Sequence, residues 1–262
     1  MIYETILFDL KDHGAYITLN RPDAANGVNM ALGKDLMHAA IRCDQDPEIR
    51  AVLLTGAGKM FSAGGDLKYF IDLGGELSSA LKELTFYCHA AISSFMRMNA
   101  PLITVVNGAA AGMGMSIALS GDMVIAAESA SFTAAHTAVG LSPDGGLTYS
   151  LPRKIGLART KDLILSNRRL TAREALEWGL VNNVVPDDEL MKEAEATVKT
   201  LAKGPTLAFG SVKRLLNKTF SETLESQMEQ ESRGIADMTK TKDVREGIAA
   251  FIAKRRPEFT GS

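Results

Sequence analysis

Short apolar strands alternate with helices as far as about residue 186, and only helices follow. This order predicts an α/β core with a helical C-terminal region. One stretch anchors the prediction. Ile103-Thr104-Val105-Val106 is a continuous, partly β-branched run that reads as a buried strand. It passes through Asn107-Gly108 and the small residues Ala109 to Gly112 into an apolar helical segment, Met113 to Leu119, which ends at Ser120-Gly121. The size agrees. With 262 residues, 46% hydrophobic and 23% charged, the chain can build one large domain, or one domain with an appendage.

The other elements follow from the N-terminus. Ile6 to Asn20 shows two alternating runs around Asp12-His13-Gly14, which predicts a hairpin. Arg21-Pro22 ends it, a loop follows, and Met30 to Cys43 has the period of an amphipathic helix. Ala51 to Thr55 is a second apolar strand, closed by Gly56-Ala57-Gly58. Phe61 to Leu67 reads as a tight glycine turn leading toward a helix, and helical patterning runs from Leu77 to Met98, stopping before Pro101. Met123 to Ala127 is another strand, whereas Phe132 to Gly146 carries little regular pattern. Leu151 to Leu165 reads as a helix. Thr171-Ala172-Arg173-Glu174 is a capping box opening a helix that ends at Trp178-Gly179. Asn183 to Val185 is a last short strand, and helices continue from Asp187 with a break at Gly204-Pro205.

Composition narrows the function classes. The net charge of −2 gives no reason to expect nucleic acid or an acidic membrane as partner. Lys254-Arg255-Arg256 is the one compact basic run, and it reads as a helix C-terminus. The two cysteines, Cys43 and Cys88, show no metal-ligand spacing and fit a reducing compartment. The first residues lack the apolar core of a signal peptide, and no uncharged run approaches a membrane span. A cytoplasmic protein without a metal is the expectation.

The segment 103–122 also points to chemistry. A strand that runs through small residues into a helix start leaves backbone N–H groups unpaired, and the helix dipole adds positive charge there. Such a place suits an oxygen that becomes negative during a reaction. Close helix-on-strand packing accounts for the small residues equally well. Phosphate binding does not, because GxxxxGK[ST] is absent and Gly108, Gly112 and Gly114 miss the GxGxxG spacing.

Three segments together resemble the enoyl-CoA hydratase/isomerase (crotonase) superfamily: LNRPDAANGVN at 19–29, FSAGGDLK at 61–68 and VVNGAAAGMGMSIALSGD at 105–122. LPRKIG at 151–156, ALEWGLVNNVV at 175–185 and GIAAFIAKRRPEF at 247–259 extend the likeness over nearly the whole chain in the right order. The resemblance implies a spiral of repeated ββα units over residues 1–200, holding binding and catalysis, and a helical region over 201–262 for oligomerisation and covering the site. It implies a homotrimer or dimer of trimers, and an acyl-CoA thioester substrate. Coenzyme A would belong to that substrate, and no separate cofactor is expected.

By position in the motifs, the resemblance makes the backbone N–H groups of Gly65 and Met113 the pair that holds the thioester oxygen as it becomes an enolate. Met113 departs from the small residue usual there. Ala24, Ala25, Asn26, Ala63, Asp66, Leu67 and Gly114 would line coenzyme A and the thioester. Lys68, Phe251 and Lys254 match positions near the adenine and phosphates, the last two from a neighbouring subunit.

The acid/base groups separate the members. Hydratases of this family use two glutamates, at the positions held here by Ser116 and His136. Neither is a carboxylate, so hydration would need His136 in place of a glutamate. Asp144, in Pro143-Asp144-Gly145-Gly146, matches the aspartate of several isomerases, including those acting on ring-derived thioesters. One base suffices for allylic isomerisation. The favoured reading is an enoyl-CoA double-bond isomerase with Asp144 as acid and base. A 4-halobenzoyl-CoA dehalogenase is a second reading: His89 matches its water-activating histidine and Asp144 its nucleophile, but an expected tryptophan is alanine at Ala135. A hydratase using His136, or a non-catalytic acyl-CoA- or RNA-binding relative, completes the alternatives.

Overall fold

The computed structural model describes residues 2–262, which form ten strands and ten α-helices. Strands β1 (Ile6–Lys11) and β2 (Gly14–Leu19) make the expected antiparallel hairpin. Asp12 and His13 sit at φ 49° and 62°, the left-handed pair that a two-residue hairpin turn requires. Helix α1 (Met30–Gln45) starts where Asn29 accepts a hydrogen bond from the Leu32 N–H at 3.0 Å.

From there the chain repeats one pattern. Strand β3 (Ala51–Gly56) is followed by β4 (Met60–Ser62), then α2 (Leu67–Asp72) and α3 (Leu77–Arg97). Strand β5 (Leu102–Val106) is followed by β6 (Ala109–Ala111) and α4 (Met113–Leu119). Strand β7 (Met123–Ala127) is followed by β8 (Ser131–Thr133) and α5 (Leu147–Ser166). The first strand of each unit joins a six-stranded sheet, β1-β2-β3-β5-β7-β10, which is parallel beyond the hairpin. The second strand of each joins a four-stranded sheet, β4-β6-β8-β9, parallel except at β9 (Leu170–Thr171). Because chain order and strand order agree in both sheets, the path advances as a spiral of ββα turns. Strands β3 and β5 are buried along their whole length, as parallel strands covered on both faces must be.

The corners are held by side-chain hydrogen bonds. Asn107, between β5 and β6, accepts from the Gly56 N–H at 3.2 Å and donates to the Gly58 carbonyl at 3.0 Å, tying one spiral turn to the previous one. A Cβ at Gly108 would lie 2.1 Å from the Lys59 carbonyl oxygen, so only glycine fits there.

The second sheet was not foreseen. Strands β4, β6 and β8 fall where small-residue turns or irregular chain were expected, because each is only three residues long and exists by pairing with the others. Helix α5 starts at Leu147 rather than Leu151, directly after Gly145-Gly146, and contains a non-helical break at Gly156. Helix α6 (Ala172–Glu177) and β10 (Asn183–Val185) lie where expected, and the Thr171–Glu174 capping box is complete.

Four helices finish the chain: α7 (Leu190–Leu201), α8 (Thr206–Leu216), α9 (Leu224–Met238) and α10 (Lys242–Ile252). Lys213 of α8 is buried and fastens this region to the core. Its Nζ donates to the Phe95 and Ala100 carbonyls at 3.0 and 2.9 Å and pairs with Asp122 at 2.7 Å. Burial lowers the Lys213 pKa and raises that of Asp122, each opposed by the other's charge. Phe220, in the turn between α8 and α9, Ile235 of α9, and Phe251 and Ile252 of α10 are exposed apolar side chains of this region.

The capping box yields a pH prediction. The Glu174 carboxyl is held down at about 2, against an ordinary 4.5, first by the Thr171 N–H and then by the Thr171 hydroxyl and Arg168. A depressed carboxyl stabilises the fold above its ordinary pKa and stops doing so as pH falls toward the folded value. The urea midpoint of Glu174→Ala should therefore lie below wild type at pH 7, with the gap narrowing at pH 3.5. An unchanged gap would contradict this account.

Candidate active site

Three successive turns of the spiral leave the second sheet at one edge. Gly65 follows β4, Met113 follows β6, and His136 and Asp144 follow β8. Since β4, β6 and β8 pair in parallel, their C-terminal ends lie side by side, where α/β proteins place their sites.

Gly65 is oriented by its neighbours. The Val28 N–H donates to the Gly64 carbonyl at 2.7 Å, and the Asp66 N–H donates to the Val28 carbonyl at 3.0 Å. This bridge uses the groups on either side of Gly65, so the Gly65 N–H points the other way. Met113 opens α4, and its N–H has no partner within the helix. Gly64 brings the two amides together. Its φ is +91°, and a Cβ there would lie 2.6 Å from the Ala111 carbonyl oxygen and 3.2 Å from the Met113 nitrogen. Gly65 and Met113 line one cavity of about 480 Å³ with Asp144 and His136.

The loop ahead of α1 is fixed by polar contacts. Arg21 pairs with Asp66 at 2.9 Å and donates to the Gly27 carbonyl. Asp66 also caps α2 through the Tyr69 N–H at 3.1 Å. Partial burial opposes its charge, but the Tyr69 amide and the Arg21 guanidinium outweigh it and hold the carboxyl below its ordinary range. Ala24, Ala63, Asp66 and Leu67 line the cavity. Ala25 stands beside them at φ 51°, its carbonyl accepting from the Ala63 N–H at 2.9 Å.

Two expected ligand contacts take a different place. Asn26 is fully buried: its amide donates to the Ala57 and Met60 carbonyls, both at 2.9 Å, and accepts from the Arg21 N–H at 2.9 Å. It shapes the loop and presents no side chain to a ligand. Gly114 is also buried, outside the cavity; a Cβ there would lie 2.4 Å from the Ser62 carbonyl oxygen, so it sets how closely α4 packs on β4. Lys68 is exposed at the start of α2, and Phe251 and Lys254 are exposed at the end of α10, away from this chain's own cavity.

Around the carboxylate, the structure brings together what the motifs left apart. His136 is buried, and its Nε2 lies 3.0 Å from Asp144 Oδ1. Ala135 at φ 59° and Gly140 at φ 75° bracket the short 3-10 turn that folds His136 back on Asp144. Toward an ionised Asp144, which can only accept, the donor in this pair is the Nε2–H tautomer of His136. Ser116 Oγ donates to the Asp144 carbonyl at 2.9 Å. His89 does not reach the Asp144 carboxylate; its Nε2 accepts from the Gly145 N–H at 3.0 Å. Leu81, Leu84 and Thr85 of α3, with Val139, Leu141 and Ser142, complete the mainly apolar wall. The helical spacing of 81, 84 and 85 was visible in the sequence, but it is indistinguishable there from an ordinary core stripe. Among the described residues no cluster could hold a metal, and no helix is long and apolar enough to cross a membrane.

Comparison with known proteins adds to this geometry. Residues 11–262 match the family model described as enoyl-CoA hydratase/isomerase. A probable enoyl-CoA hydratase of Rhodobacter capsulatus is 38% identical, covering 100% of both chains. The 1,2-epoxyphenylacetyl-CoA isomerase of Escherichia coli is 38% identical over 98% of this chain and 99% of that one. Among solved structures, a putative enoyl-CoA hydratase of Streptomyces coelicolor superposes with a TM-score of 0.94 at 29% identity, covering 100% of this chain and 96% of the other. An enoyl-CoA hydratase of Bacillus anthracis gives 0.92 at 33% identity, over 99% and 100%.

Gly64 is the point at which this geometry can be broken. Gly64→Ala imposes both a strained φ and a clash with Ala111, so it should lower stability by about 1–3 kcal/mol. Urea unfolding measures this; a midpoint equal to wild type would show that the two segments separate without cost.

Proposed function

The chain belongs to the enoyl-CoA hydratase/isomerase family, whose members act on acyl-CoA thioesters, and within it we propose a double-bond isomerase that uses Asp144 as both acid and base. One observation carries the reading: of the two carboxylates that line the cavity, Asp66 is committed to Arg21 and to the start of α2, which leaves Asp144 to act as the base.

The steps follow from the groups present. The thioester oxygen sits between the Gly65 and Met113 amides. Asp144 removes a proton from the carbon between the thioester and the remote double bond. The charge passes to the oxygen, where each amide contributes about 3 kcal/mol to the barrier reduction. The protonated Asp144 then returns its proton to the far end of the dienolate, and the double bond comes into conjugation. The His136 Nε2–H orients the carboxylate through Oδ1 and leaves Oδ2 for the substrate. The relative named 1,2-epoxyphenylacetyl-CoA isomerase supports isomerase chemistry and a ring-derived acyl group in a mainly apolar cavity.

Hydration is the second reading, favoured by the buried His136 in the cavity wall and by relatives named probable enoyl-CoA hydratase. It lacks the carboxylate of the related hydratases at position 116, where the Ser116 hydroxyl donates to the Asp144 carbonyl and the side chain does not line the cavity. Dehalogenation is disfavoured by the contact of His89 with the Gly145 amide instead of with the aspartate.

The exposed apolar side chains of α9 and α10 support a homotrimer or dimer of trimers, with Phe251 and Lys254 completing a neighbour's adenine and phosphate contacts. Sedimentation velocity should give a mass three or six times that of the chain; a monomer at micromolar concentration would exclude it.

Isomerisation is tested by ultraviolet absorbance with a 3-enoyl-CoA. Wild type should generate the conjugated 2-enoyl thioester, and Asp144→Asn should lower kcat by on the order of 10²–10⁴ while still binding the thioester. Full activity in that variant would refute the assignment. Loss of 2-enoyl absorbance that depends on His136 would establish the hydratase instead.

A further inference from the structure

The peptide linking Asp144 to Gly145 is gripped from both sides. Ser116 Oγ donates to its carbonyl at 2.9 Å, and the Leu147 N–H donates to the same oxygen at 3.1 Å. On the other face the Gly145 N–H donates to His89 Nε2 at 3.0 Å. Gly145 is packed tightly on the first turn of α4: a Cβ there would lie 2.6 Å from Ser116 Cβ and 2.8 Å from Met113 Sδ, and its φ is +60°. The peptide is therefore held against the first turn of α4, which begins with Met113.

His89 and Ser116 reach this peptide from outside the substrate cavity. They line a second cavity of about 600 Å³ on the far side of the 144–146 loop, and neither lines the cavity of the paired amides. His89 spends Nε2 as an acceptor, so in this arrangement its proton sits on Nδ1. It has no free lone pair with which to take a proton from water.

We infer that His89, with Ser116, is a positioning residue that sets the reach of the Asp144 carboxylate by holding the Asp144–Gly145 peptide from behind, and that it takes no part in proton transfer. The inference rests on Asp144 as the acid/base. It assigns a structural use to the position where related hydratases carry a glutamate, and to a histidine whose place in the motifs pointed to water activation. Transfer between a carboxylate and a carbon is steeply sensitive to placement, so releasing the peptide should act on turnover.

The test compares His89→Gln, which can accept the Gly145 N–H but cannot serve as a base, with His89→Leu, which can do neither. Asp144→Asn is run in parallel on the same 3-enoyl-CoA. His89→Leu should lose ten- to a hundredfold in kcat with KM within about twofold, and His89→Gln should recover most of that loss. Hydrogen exchange at the 143–147 segment supplies a readout independent of turnover: protection should fall in His89→Leu and return in His89→Gln. If His89→Leu fails to fold, Ser116→Ala carries the same expectation from the carbonyl side. A His89→Gln variant as inactive as His89→Leu, with exchange protection intact, would make His89 a proton-transfer group and overturn the inference. Wild-type kcat in His89→Leu would overturn it as well. Full activity in Asp144→Asn would instead remove the reading on which it rests.

Discussion

Parallel pairing of β4, β6 and β8 is the constraint on which the site depends. Each of these strands is three residues long, and none would hold its conformation alone. Paired in parallel, they release the chain at one edge three times in succession. The first exit presents the Gly65 amide, the second the Met113 amide, and the third the His136–Asp144 pair. Glycines make the approach close enough: Gly64 lets the first exit lie against the second, and Gly145 lets the third lie against Met113.

Much of the fold was legible in the sequence, and the reason is length and pattern. The hairpin, α1, β3, α3, β5 and the Thr171–Glu174 box each carry a period or a cap that physics makes recognisable. The second sheet carries neither. Ala109-Ala110-Ala111 has no strand propensity, and Ser131-Phe132-Thr133 is too short for a period to be counted. Their strand character comes from partners far away in the chain. The start of α5 was misplaced for a local reason: Gly145-Gly146 reads as loop, yet Gly146 at φ 74° is the residue from which the helix begins.

The candidate site was legible in its parts and not in its connections. The motifs named Gly65, Met113 and Asp144, which share a cavity here. They did not say which histidine meets the aspartate. His136 and His89 stand in the sequence as equals; a turn bracketed by Ala135 and Gly140 decides between them. Asn26 and Gly114 were expected at the ligand and instead shape the loop and the helix packing behind it. A residue that supports a site and one that touches the ligand can occupy neighbouring positions of one motif, and only burial separates them.

The spiral path also fixes when function can arise during folding. The amides of Gly65 and Met113 belong to different turns, and the carboxylate belongs to a third. Each pairing closes a long stretch of chain, so its entropy must be paid before the contact gives anything back. On the proposed reading, the first two turns alone would bring the two amides together without the carboxylate. The carboxylate joins them only through the pairing of β8 with β6. The site is therefore a property of three repeats together, and no single ββα unit contains it.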